Sequence, residues 1–145
     1  MKVLIQRVSR SAVEVDGACV GEIGKGILLL LGVEADDSNE HVEKALKKVL
    51  AYRMFSDEQG KMNLNIKDAG GQLLVVSQFT LVAQTNKGNR PGFSKGATPS
   101  HGEQIYNQFV KRAKEALPGT ACGQFGADMQ VSLVNDGPVT FMFEF

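Results

Sequence analysis

The residues with the most chemistry to offer sit where an apolar run breaks. Leu73 to Val82 reads Leu-Leu-Val-Val-Ser-Gln-Phe-Thr-Leu-Val, bounded by Gly70-Gly71 before it and Gln84-Thr85-Asn86-Lys87-Gly88 after it. A β-branched apolar run between turn-forming clusters is the pattern of a strand buried on both faces. Ser77, Gln78 and Thr80 do not suit such a strand. A buried hydroxyl or amide without a partner costs about 1–3 kcal/mol, so the three either pair with neighbouring backbone at a strand end or face a pocket. Alternation puts Gln78 and Thr80 on one face and Ser77 on the other. They converge on one site only if the strand bulges or ends near Ser77.

A second segment, Asn135-Asp136-Gly137-Pro138-Val139-Thr140, joins two apolar runs near the C-terminus. Asp-Gly between alternating runs is a hairpin signal. Pro138 adds the option of a cis peptide bond, a form that about 5–6% of X-Pro bonds take and that usually marks a tight turn. The sequence leaves cis and trans both open.

Other site types lack their residues. His41, His101, Cys19 and Cys122 stand alone, with no metal-ligand spacing. There is no phosphate-binding glycine loop and no G-x-S-x-G elbow. A Ser-His-Asp triad would have to recruit His41 or His101, both in polar settings at expected helix starts. No metal and no cofactor is therefore expected. What remains is a site made mainly of backbone, with hydroxyl and amide groups to position a ligand.

The composition narrows the partners. Sixteen basic residues balance sixteen acidic ones, so no global field holds a long nucleic acid, and no DNA partner is expected. A short single-stranded end needs few phosphate contacts. Lys87, Arg90 and Lys95, in a long loop rich in Gly, Asn and Pro, offer one local basic patch for it. A chain of 145 residues reads as one domain, residues 1–145, burying about 68–70% of its unfolded surface. The separated cysteines and the lack of a signal-peptide pattern fit a reduced, cytoplasmic chain. Ile27 to Leu31 is far too short to span a membrane, so no membrane partner is expected.

The positioning elements follow from periodicity. Lys2 to Val8 alternates, with Val3, Ile5 and Arg7 on one face. A guanidinium among apolar neighbours must find a carboxylate or backbone carbonyls, unless that position is a solvent-facing edge. Ser11–Val15 and Ala18–Ile23 form a hairpin about Asp16-Gly17, and Ile27–Val33 is a buried strand. Asp37 with Glu40 opens a helix to about Tyr52, with Val42, Ala45, Leu46, Val49 and Leu50 on one face. Ser100 with Glu103 opens a second helix, stopped by Pro118-Gly119. Phe125 to Leu133 alternates, as does Val139 to Phe145, and Met62 to Ile66 is irregular or a short strand. The expected fold is mixed α and β: two packed β-sheets with two helices on one side, in β/β/α layers, as a single domain.

Ser77-Gln78-Phe79-Thr80-Leu81 and Asn135-Asp136-Gly137-Pro138-Val139-Thr140 resemble the two signature motifs of the D-aminoacyl-tRNA deacylases, the D-Tyr-tRNA deacylase family. The similarity runs from Met1-Lys2-Val3-Leu4-Ile5-Gln6-Arg7-Val8 through Phe145. The resemblance implies hydrolysis of the ester of D-aminoacyl-tRNA, with rejection of the L form and no cofactor. It implies a catalytic role for Ser77, Gln78, Phe79 and Thr80. It further implies that Gly137 and Pro138, joined in cis, enter the partner's active site in an obligate homodimer whose active sites lie at the subunit interface. Their backbone oxygens would hold the substrate amino group, and Arg7 would brace the loop. Phe125 and Met129 would form the pocket for the terminal adenosine of the acceptor end. We expect main-chain N–H groups around Gln78 and Phe79 to bind the oxyanion, water to attack, and Thr80 and Ser77 to position. A wall of main chain cannot exclude glycine, so glycyl-tRNA is an expected substrate. Three alternatives stand beside this reading. One is a dimeric module that binds aminoacyl-tRNA or a small ligand without turnover; one is a deacylase of achiral or L substrates. The third, a purely structural dimer, leaves Ser77, Gln78 and Thr80 unexplained.

Overall fold

The computed structural model describes Met1–Phe145. The alternation that begins at Lys2 does not stop at Val8: β1 (Lys2–Val15) is one continuous strand. Asp16 and Gly17, both at positive φ (51° and 79°), turn it into β2 (Ala18–Ile23). Positive φ at both central residues is the hairpin geometry Asp-Gly favours. Then follow β3 (Gly26–Gly32), α1 (Asn39–Ala51), β4 (Phe55–Ser56), β5 (Met62–Leu64), β6 (Gln72–Ser77), α2 (Pro99–Ala116), β7 (Ala121–Cys122) and β8 (Gln130–Glu144).

Six strands form one sheet in the order β2-β1-β3-β6-β7, with β8 also paired to β1; β4 and β5 form a second, two-stranded sheet. The mixed α and β, single-domain architecture is the expected one. β1 is long enough to serve two layers, because Lys2–Val8 pairs with β3 while Ser11–Val15 pairs with β2. Alternate residues of the central strands therefore feed two cores. Val3, Ile5, Leu29, Leu31 and Val75 face Val42, Val49, Ile105 and Phe109 of the two helices. Leu28, Leu74 and Val76 face away, and meet Val8, Val13 and Ile23 from the folded-over part of β1 and β2.

Both helix starts differ from the expected capping boxes. α1 is capped by Ser38, whose N–H donates to His41 Nδ1 at 3.1 Å, and not by Asp37 with Glu40. Asp37 is committed elsewhere: its carboxylate accepts from the Met1 amine and from the Glu34 N–H, each at 2.7 Å. α2 is capped by Thr98, whose hydroxyl accepts from the His101 N–H, with Pro99 in the first turn where its missing N–H costs nothing. Ser100 and Glu103 lie inside the helix.

The last strand is also rearranged. Phe125 to Met129 is turn and coil, and β8 starts at Gln130. No hairpin forms at Asp136-Gly137, since both halves of β8 lie along the same partner. Gln130–Asn135 pairs with Val8–Glu14, and Thr140–Glu144 pairs with Lys2–Gln6. Residues 136–139 thus have only Arg7 beside them on β1 and loop out of an otherwise continuous strand, with Val139 turning back into the core.

The strand expected to reach Val82 ends at Ser77. β6 runs parallel to β3 from Gly26 opposite Gln72 to Leu31 opposite Ser77. One further bond, Gln78 N–H to Leu31 O at 2.8 Å, closes the ladder, and Phe79–Val82 wind into a 3-10 turn. That turn rests directly on Gly32, where a Cβ would lie 2.9 Å from Leu81 Cβ and 3.2 Å from Gln78 O. Gly32→Ala is accordingly expected to cost about 1–3 kcal/mol by overpacking. Urea unfolding measures this loss, and a variant as stable as wild type would mean that the turn has room to move.

Candidate active site

Because β6 stops at Ser77, the 3-10 turn lies at the carboxyl ends of two parallel strands, where α/β sheets commonly hold ligands. A cleft of about 310 Å3 opens there. Leu31 and Val33 form part of its lining, with Ser77 and Phe79 from the β6 end, Phe93 and Gly96 from the following loop, and Gly102 from α2. Phe125 and Gly126 add to it, as does Val82 from the turn. Phe79 is 67% exposed and Phe93 39%, with ring centroids 5.1 Å apart, while Phe125 packs 5.7 Å from Tyr106. Exposed aromatic faces beside a polar turn are a stacking surface.

Of the four residues expected to be catalytic, Ser77 and Phe79 line the cleft. Gln78 and Thr80 do not line it; the Gln78 amide Nε2 donates to Thr80 Oγ1. The Gln78 main-chain N–H is bonded to Leu31 O and is not a free donor, which corrects the expected pair around Gln78 and Phe79. The first bond inside the turn runs from Leu81 N–H to Gln78 O, so the N–H groups of Phe79 and Thr80 have no partner within it. No titratable side chain lines the cleft. Neither histidine enters it: His41 caps α1, and the His101 ring lies 2.9 Å from Asp37 O.

Arg7 is 13% exposed at its side chain, and the solvent-edge alternative is excluded. Its Nε donates to Asp136 O at 2.8 Å and its Nη1 to Met54 O at 2.9 Å. On the other flank Val139 N–H donates to Asn135 Oδ1 at 2.7 Å, and Asn135 Nδ2 to Thr140 Oγ1 at 3.0 Å. The looped-out Asp136–Val139 segment is therefore fixed from both sides. Its Gly137–Pro138 bond is cis, and both residues are exposed. Neither lines the cleft of its own chain. Arg7 stands opposite Ile27 and Ser77 opposite Leu31, four residues apart along β3. That separates them by about 13 Å in the strand direction.

Phe125 and Met129 were expected on one face of the last strand, but both precede it. Phe125 lines the cleft, whereas Met129 packs in the second apolar cluster with Val131 and Leu133. Phe93, Gly96 and Tyr106 were not anticipated. Phe93 carried a signal, being a lone aromatic in a polar loop, while Tyr106 reads as one more apolar-face residue of α2. Its hydroxyl donates to Val75 O at 3.0 Å.

The fold and cleft define a small mixed α/β domain whose site offers aromatic faces and main-chain donors in place of acid and base. Comparison with known proteins makes the class specific. Residues 4–144 match the family described as D-Tyr-tRNA(Tyr) deacylase, and the chain belongs to that family. A protein of Alteromonas mediterranea named D-aminoacyl-tRNA deacylase is 64% identical over 140 residues, 97% of each chain. One of the same name from Escherichia coli is 56% identical over 144 residues, 99% of each chain. Among solved structures, a c-Myc DNA Unwinding Element Binding Protein superposes with a TM-score of 0.95 at 38% identity, covering 100% of this chain and 99% of its own. A probable eukaryotic D-amino acid tRNA deacylase shares the fold, with a TM-score of 0.84 at 17% identity over 98% of this chain and 97% of its own.

Burial pushes the Tyr106 phenol well above its ordinary value of 10.0, Cys122 adds to the shift, and the Gly123 backbone opposes it in part. The folded chain keeps this proton, while the unfolded chain releases it above about pH 10. Stability from this group is therefore complete below about pH 10 and falls as pH rises past it, by at most about 1.4 kcal/mol per unit. Urea midpoints at about pH 9.5 and 11 are expected to drop less for Tyr106→Phe than for wild type. Equal drops would mean that Tyr106 ionises freely in the folded state.

Proposed function

We propose that this chain hydrolyses the ester of D-aminoacyl-tRNA, and of glycyl-tRNA, to free amino acid and tRNA, and spares L-aminoacyl-tRNA. The observation that carries the reading is the break at Ser77, which leaves the Phe79 and Thr80 N–H groups unpaired within their turn beside an aromatic cleft. It occurs in a chain 64% identical to a D-aminoacyl-tRNA deacylase.

An aminoacyl ester is already activated, so the largest remaining demand is the tetrahedral oxyanion, for which a well-placed donor supplies about 10²–10³ in rate. The N–H groups at the start of the 3-10 turn meet that demand. Water adds to the carbonyl carbon, and the bond to the ribose oxygen breaks. The proton passes to that departing oxygen, with the neighbouring ribose hydroxyl assisting. Thr80 accepts a hydrogen bond from Gln78 and has no base beside it, so it positions groups and does not attack. Phe125 stacks the terminal adenosine, while Met129, packed in the second cluster, does not line the cleft.

Sparing the L form by about 10⁴ requires more than about 5 kcal/mol, beyond what apolar side-chain contacts supply. A rigid main-chain wall meets the requirement. Gly137 and Pro138 serve as that wall in the active site of a partner subunit, held there by Arg7. The segment's exposure, its fixing from both sides and its distance from its own cleft support this arrangement. Exposed Val134 and Met142 on the same strand support an obligate homodimer, which meets its substrate in the cytoplasm. Sedimentation at assay concentration is expected to give twice the chain mass; an active monomer would remove the wall from this scheme.

A binding module without turnover draws on one observation, the absence of any titratable group lining the cleft. Amino-acid release from D-Tyr-tRNA, L-Tyr-tRNA and Gly-tRNA decides between the readings. The D-Tyr and Gly esters are expected to be cleaved and the L-Tyr ester left intact. Pro138→Ala is expected to lose activity or selectivity, and Thr80→Ala to stay within about tenfold of wild type, which is about 1.4 kcal/mol. A folded dimer that cleaves none of the three is a binding module. Turnover abolished by Thr80→Ala would make that hydroxyl the nucleophile.

A further inference from the structure

The loop that walls the cleft has a second side. There a groove of about 470 Å3 is lined by Lys2, Lys87, Arg90 and Lys95, with Gln84, Thr85 and Asn86 between them and no acidic residue. In a chain of zero net charge this is a local concentration of four cations. Lys2 belongs to β1, so folding assembles the groove from distant parts of the sequence.

The loop is held in shape. Gln84 and Gly92 exchange two main-chain hydrogen bonds at 2.7 and 3.1 Å, closing the segment that carries Lys87 and Arg90. Ser94 Oγ donates to Gln84 Oε1 at 3.0 Å, and Ala35 N–H to Lys95 O at 3.0 Å. The groove and the cleft share Val82 and divide the loop residues between them: Gly92 and Lys95 line the groove, Phe93 and Gly96 the cleft. A ligand with a flat apolar end in the cleft and an anionic tail would pass straight into the groove. Lys2 touches Glu144 at 3.5 Å, a surface contact that a phosphate can replace.

We propose that this groove holds the phosphate backbone of the single-stranded RNA immediately before the 3′-terminal nucleotide in the cleft. The inference rests on the reading of the cleft as the site of a tRNA 3′ end. Cations track the phosphates, while Gln84, Thr85 and Asn86 supply the neutral donors that single-stranded backbone also takes. Charge in the groove thereby strengthens the hold on the tRNA end without touching the ester at the 3-10 turn.

The test uses the full chain and deacylated tRNA, with affinity followed as salt rises. Lys87→Gln, Arg90→Gln and Lys95→Gln are each expected to weaken binding and to lower the salt slope by about 0.7, and the triple variant by about 2. Lys47→Gln, on the outer face of α1, is expected to change neither. With D-Tyr-tRNA the triple variant raises KM and leaves kcat near wild type. With D-Tyr esterified to adenosine alone, which has no upstream phosphate, it matches wild type. A triple variant with wild-type tRNA affinity and slope, from a protein that still deacylates D-Tyr-tRNA, overturns the groove and leaves the cleft reading intact. Equal loss on the adenosine ester also overturns it, by placing the damage in the cleft. Failure of the wild-type chain to bind tRNA or cleave any ester overturns the cleft reading, and the groove with it.

Discussion

The parallel ladder between β3 and β6 decides where this molecule has a site. While the ladder runs, β6 is paired along β3 and its apolar side chains enter the two cores, Leu73 and Val75 on one face, Leu74 and Val76 on the other. Beyond Leu31 the neighbouring strand offers one last carbonyl, which Gln78 takes, and then Gly32, which has no side chain to keep the chain at a distance. The backbone collapses onto that glycine and tightens. Polar residues that would be a burden inside a strand are thereby delivered to its end, next to the start of α2 and the aromatic residues around it.

The second signature segment depends on a different constraint, the fidelity with which β1 pairs along β8. Pairing is held on both sides of Arg7, and the surplus residues of β8 leave the sheet together. Arg7 faces Ile27 on β3 but has no β8 residue opposite it, and its guanidinium takes the Asp136 carbonyl and, in the other direction, the Met54 carbonyl after α1. A single half-buried cation thus joins an outward loop to the body of the domain. An arginine suits the task because its planar fork reaches two acceptors at once and stays charged.

Much of this was legible in the sequence. The apolar run from Leu73, the Asp16-Gly17 hairpin, the helical stripes through Val42 and Ile105, and the misfit of Ser77, Gln78 and Thr80 all depend on local periodicity or turn chemistry, which a single chain displays. What was not legible depends on partners distant in sequence. Asp37 has the right type to cap α1, yet the Met1 amine and the Glu34 N–H claim it. Asp136-Gly137 has the composition of a hairpin, yet both flanking halves have a better partner in β1. Phe125 and Met129 fit one alternating pattern, but the turn through Gly126, at φ 76°, breaks the pattern between them. Lys2 could not be grouped with Lys87, Arg90 and Lys95 until the fold brought them to one groove.

The excursion of residues 136–139 also bears on how such a protein can change over time. Gln6 meets Thr140 and Val8 meets Asn135 whatever lies between those two β8 positions. The length of the exposed part, Asp136 to Pro138, is therefore uncoupled from the register of either half-strand, while Val139 turns back into the larger apolar core. In a hairpin, an added or lost residue is transmitted to every following pair and turns buried side chains outward. Here the same change stays local. What limits change at Asp136 to Pro138 is thus the task the exposed segment performs and not the stability of the sheet, so novelty at that edge need not first pass through a weakened fold.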